Sequence, residues 1–122
     1  MSQPIKKKFK KQRVTAEEQI ELYSTISPLL RAAFDEVKEF SKKKQDEPLN
    51  LKKVKIINRL LEKAKEVLEN EQTVDYLDIL DEDELPSNSD AVLTMSQYMS
   101  ALHKFHSDHY HIDGWDLEGE WD

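Results

Sequence analysis

Four histidines fall within nine residues of one another, His103, His106, His109 and His111, interleaved with Asp108 and Asp113. Imidazole nitrogens and carboxylate oxygens are ordinary ligands of zinc. On a helix His103, His106 and His109 stand three apart, so neighbours in the series could share a divalent ion with Asp113 as oxygen donor. The strong helical zinc motif is different, because it sets two histidines four apart around a glutamate and takes a third ligand from elsewhere. The same spacing fits a polar helix end, where histidines and Lys104 oppose the partial negative charge of the terminus. No metal or other cofactor is expected on this basis, and His109, below Leu102 and Phe105, is expected to pack.

Carboxylates are the second candidate chemistry: Asp75, Asp78, Asp81, Glu82, Asp83 and Glu84 lie close together. A calcium loop of the EF-hand type starting at Asp81 would need glycine at its sixth position and glutamate at its twelfth, where this chain has Pro86 and Val92. The motif fails. With so many acids in this half, any one pair is what chance supplies, and the run reads as a solvated acidic face. The chain has no cysteine, which removes a disulfide framework, a thiolate metal site and a cysteine nucleophile. Its two glycines, Gly114 and Gly119, leave residues 1–113 without a P-loop, a dinucleotide fingerprint or a nucleophile elbow, all of which depend on glycine. The sequence therefore reads as non-enzymatic.

Two further groups suit binding. Lys6, Lys7, Lys8, Lys10, Lys11 and Arg13 surround Phe9 with no acid among them, an arrangement that could neutralise phosphates or an acidic patch while the ring stacks. At the other end Trp115, Asp116, Leu117, Glu118 and Trp121 combine two large rings with acids. Such rings normally hide in a core or an interface, so this segment reads as a docking peptide or as a piece that folds back onto the domain.

Charge is sorted along the chain in the same sense. Residues 1–13 carry six basic side chains, residues 14–65 are near neutral, and residues 66–122 hold Lys104 against sixteen acids, within an overall net charge of −7. Blocks of like charge act on partners more often than they carry chemistry.

The elements that must position these groups are helical. Ile20, Tyr23, Ile26, Leu30, Phe34, Val37 and Phe40 or Ser41 recur at steps of three and four behind a capping box at Thr15 and Glu18; Pro28 makes this either one kinked helix or two pieces with Ser27 as N-cap, and the stripe's unbroken phase favours the kink. Asn50 can cap a second helix with the stripe Leu51, Val54, Ile57, Leu60, Leu61, Ala64, Val67 and Leu68. The length of Thr73 to Leu80 permits a short helix with Val74, Leu77 and Leu80 inward or a strand, and the short helix is the preferred expectation. A third long helix is predicted from near Asn88, with Val92, Met95, Tyr98 or Met99, Leu102 and Phe105 on its stripe and Ala91 and Ala101 allowing close approach.

The expected architecture is all-α, a small irregular antiparallel helical bundle of three long helices and one short one. A helical domain at 15–111 would carry a basic flexible tail at 1–14 and an acidic, tryptophan-containing tail at 112–122. No family resemblance emerges from these residues. The functional expectation is an interaction or regulatory protein that docks another protein, its charged tails tuning association. The alternatives are a nucleic-acid accessory factor acting through the basic arm, an acidic mimic of nucleic acid, and, remotely, a metal-dependent enzyme using the histidines. No apolar stretch follows the basic run and nowhere do 18 apolar residues run together, so a cytoplasmic chain without a membrane span is expected. A homodimer would help so aromatic-poor a chain bury its stripes.

Overall fold

The computed structural model describes residues 16–109. The basic segment, Thr15 of the expected capping box, His111, Asp113 and the tryptophan segment lie outside the described residues. Within them the chain forms α1 (Ala16–Lys43), α2 (Leu51–Val67), a turn of 3-10 helix (Gln72–Tyr76) and α3 (Asn88–Asp108), with no strand. No helix among the described residues is long and apolar enough to cross a membrane.

The apolar stripes become the core. Tyr23, Ile26, Leu30, Phe34 and Val37 of α1 meet Val54, Ile57, Leu61 and Ala64 of α2 and Met95, Tyr98, Leu102 and Phe105 of α3. Leu30, Leu61, Leu68, Met95 and Tyr98 are entirely covered. Each such side chain contributes roughly 1.5–3 kcal/mol relative to exposure. Helix α1 runs antiparallel to both others. Near its start the Gln19 amide Nε2 donates to the Val67 carbonyl at the end of α2 (3.0 Å), and Tyr23 lies 5.9 Å from the Phe105 ring near the end of α3.

Pro28 does not divide α1, which is continuous from Ala16 to Lys43. Proline leaves the Ser24 carbonyl without its helical donor, but Ser24 and Pro28 are both exposed, so that oxygen faces solvent and the unbroken apolar stripe holds the helix together. Asn50 caps α2 as expected, its Oδ1 accepting from the Lys53 amide at 2.9 Å. Ser87 does the same for α3, its Oγ accepting from the Asp90 amide at 3.1 Å.

The expected helix from Thr73 to Leu80 is corrected. Helical turn is confined to Gln72–Tyr76, and at Leu77 the backbone is extended (φ −106°, ψ 130°). Leu77 and Leu80 are buried, but Val74 only half so. Side chains of the neighbouring helices supply the bonds that a helix would have made within itself. Asn58 donates from Nδ2 to the Leu80 carbonyl and accepts the Leu80 amide on Oδ1, both at 2.8 Å, as an adjacent strand would. The Tyr98 hydroxyl donates to the Asp78 carbonyl (2.9 Å) and Lys65 Nζ to the Leu77 carbonyl (3.3 Å).

The loops on either side of Asn50 and Ser87 are joined to each other. The Leu49 amide donates to the Pro86 carbonyl, the Asn88 amide to Glu47 and the Ser89 amide to Gln45, at 2.8–3.0 Å. Asn88 adds a bond from Nδ2 to the Lys44 carbonyl (2.8 Å). The first amides of α3, which a free helix leaves unpaired, are thereby satisfied by the α1–α2 loop.

Candidate interaction surface

The histidines do not converge. His103 is exposed, the His106 ring stacks on Tyr23 (centroids 5.7 Å, 13° between planes), and His109 packs on Phe105 at 4.6 Å while its Nε2 lies 3.0 Å from Glu71 Oε2. Helical periodicity sets their Cα atoms on neighbouring faces, but Tyr23 and Glu71 draw two of the rings to different places. No group of three potential ligands is assembled among the described residues.

The acidic run also resolves into individual roles. Asp81 folds its carboxylate over the Asp83 and Glu84 amides at 2.7 and 2.9 Å, a local turn. Hydrogen bonds from the Glu84 and Asp83 amides hold that carboxyl below its ordinary pKa. Glu82 is likewise held low, first by the Asn58 side-chain amide and then by Lys55, whose Nζ is 3.3 Å away. Burial pushes the Tyr98 phenol upward, reinforced by the negative charges of Asp78 and Glu62. Tyr23 is also raised by burial, against a hydrogen bond to Ser27 and the charge of Arg31.

What the fold creates without any sequence motif is a groove between the 3-10 turn and α3. Thr73, Tyr76 and Leu77 form one wall, and Gln97, Ser100, Ala101 and Lys104 the other, enclosing about 300 Å³. It continues into a second hollow of about 400 Å³ bounded by Asn70, Glu71 and Gln72 and sharing Thr73, Tyr76 and Lys104. Buried Leu77 and Ala101 supply its apolar floor. Tyr76 stands over it 79% exposed, the most exposed large hydrophobic side chain among the described residues. Leu93, 61% exposed, lies one turn before Gln97 on the same side of α3.

Among the described residues Lys104 is the one cation lining the groove, and its ammonium is already engaged, 2.7 Å from Asp108 Oδ2. That bond first, and the charges of Asp108 and Glu71 next, raise its pKa. Asp75 and Asp78 flank Tyr76 and Leu77, exposed and without an ion-pair partner among the described residues.

The outer face of α2 has the opposite sign. Lys52, Lys55, Arg59 and Lys63 project from it around Ile56, which is 46% exposed. A third hollow, of about 290 Å³, lies among the joined loops beside Phe40, Pro48 and Lys53, where Lys53 Nζ sits 4.4 Å from the Phe40 ring centre.

The groove was not read from the sequence. Tyr76 was invisible as a surface anchor because exposure depends on how the turn meets α3. The signal that could have found it is an aromatic residue out of phase with Val74, Leu77 and Leu80. No protein-family model, curated protein or solved structure matches this chain.

Proposed function

We propose that this protein is a non-enzymatic interaction protein whose helical bundle docks another protein through the groove between the 3-10 turn and α3. The observation that carries this reading is Tyr76, an amphipathic ring held out beside a preformed apolar-floored groove. Exposed tyrosines are among the residues that dominate binding energy at protein interfaces, because the ring brings a large, amphipathic contact area. The charged segments outside the described residues tune association rate and partner choice in this reading, and a cytoplasmic setting suits a cysteine-free chain.

A photo-crosslinking residue at Gln97, compared with one at Ile56 on the outer face of α2, tests it in cells. A discrete adduct from position 97 that disappears with Tyr76→Ala supports the reading, and an adduct of twice the chain's mass identifies the partner as a second copy. No adduct, or equal adducts from both positions, contradicts it.

A second reading rests on Lys6, Lys7, Lys8, Lys10, Lys11 and Arg13 around Phe9, which suit a nucleic-acid accessory role. In that case replacing the six basic residues by alanine abolishes binding to duplex or single-stranded probes and flattens its salt dependence. Binding that survives the replacement rules the arm out.

A further inference from the structure

Resting on the groove as the docking surface, we infer that its occupant is a basic segment of a partner protein, in which lysines or arginines flank one apolar anchor. The anchor follows from shape. The space between Tyr76 and Ala101 is open, about 300 Å³, and floored by buried apolar side chains, a volume suited to one leucine- or phenylalanine-sized group.

The sign of the flanking charge follows from what surrounds that space. Residues 69–90 contain nine acidic and no basic side chains, and this stretch includes the whole of one wall. Asp75 and Asp78 are exposed and adjoin the lining residues Tyr76 and Leu77 in sequence, and Glu71, 3.0 Å from His109, bounds the adjoining hollow. The groove's one lysine does not offset them, because Asp108 occupies its ammonium at 2.7 Å.

An acidic or neutral segment gains nothing from this rim, and an acidic one is repelled. A basic segment is attracted over roughly a Debye length, about 8 Å at physiological salt, and brings cations to carboxylates that have no partner among the described residues. The exposed outer face of α2 carries Lys52, Lys55, Arg59 and Lys63, so the same segment is rejected there by like charge. Specificity thus arises from attraction at one face and repulsion at the other.

The test uses the full chain and a capped peptide of four lysines around one phenylalanine, with a glutamine-for-lysine analogue as control, measured by calorimetry at low and at physiological salt. The expected result is binding of the lysine peptide only. Tyr76→Ala should weaken it at least ~tenfold, and the double variant Asp75→Asn, Asp78→Asn should weaken it about five- to tenfold at low salt, with little further loss when salt is raised. Both sites are exposed, so the variants should fold, and circular dichroism checks that they do.

Equal binding of the glutamine analogue, still dependent on Tyr76, overturns the basic occupant while leaving the groove as a docking surface. Absence of binding, or binding indifferent to all three residues, overturns the inference. So does binding that appears only when Lys6, Lys7, Lys8, Lys10, Lys11 and Arg13 are changed to glutamine, because the chain's own basic segment is then the occupant.

Discussion

The segment Leu77–Ser89 and the turn just before it, Gln72–Tyr76, are neighbours in sequence and opposites in how they are held. The first has little regular structure yet is tied down by Asn58, Lys65, Tyr98 and the α1–α2 loop. The second is a formal helical turn with no fully buried residue and no side-chain cap at its start. Its main side-chain tie is the contact between Glu71 and His109. Rigidity here follows the bonds that side chains make to backbone, not the regularity of the backbone itself. The tied segment fixes where the turn ends, and the loosely held turn is left to present Tyr76.

The largest expected effect comes from cutting the tie. Asn58→Ala removes both bonds to Leu80 and strands a buried amide and carbonyl, so stability in chemical denaturation should fall by about 2–4 kcal/mol. A loss below ~0.5 kcal/mol would show that the segment does not depend on this side chain. Asn88→Ala, which frees the Lys44 carbonyl near the loop junction, should cost about 1–2 kcal/mol by the same measurement.

Acid should loosen the same segment. Asp81 and Glu82 have lowered pKa values, so their contribution is complete above the ordinary carboxylate range and is lost as pH falls through and below about 4. Hydrogen exchange should show the Leu80 amide losing protection there before the core of α2 does. A Leu80 amide that stays as protected as that core in acid contradicts this role. The smallest effect belongs to Tyr76→Ala, which should change stability by no more than ~0.5 kcal/mol, as expected for a side chain the core does not use.

The three long helices were legible because each buries a stripe whose 3.6-residue period survives its surroundings, as at Leu30 and Phe34 or Leu61 and Ala64. The cap at Asn50 was legible for a local reason, since the bond spans three residues. Asn58 and Gln19 were not. A polar residue inside a charged helix reads as surface, and their burial is decided by partners 22 and 48 residues away. The end of the short helix at Tyr76 was missed on the same ground, because its replacement bonds come from α2 and α3. Histidine spacing alone was compatible with a shared ion; the positions of Tyr23 and Glu71, which part the rings, are tertiary facts. The tryptophan and basic segments, which carried most of the sequence-level binding signal, fall outside the described residues.

The division between a tied scaffold and a presented turn is tested most directly by mapping amide chemical shifts of the full chain during titration with the lysine–phenylalanine peptide. The account predicts that the changes concentrate at Thr73, Tyr76, Gln97, Ser100 and Lys104, while Leu49, Leu80 and Asn88 stay in place. Shifts centred on Lys52, Ile56 and Arg59 of α2, or spread evenly over both the turn and the Leu77–Ser89 segment, would contradict it.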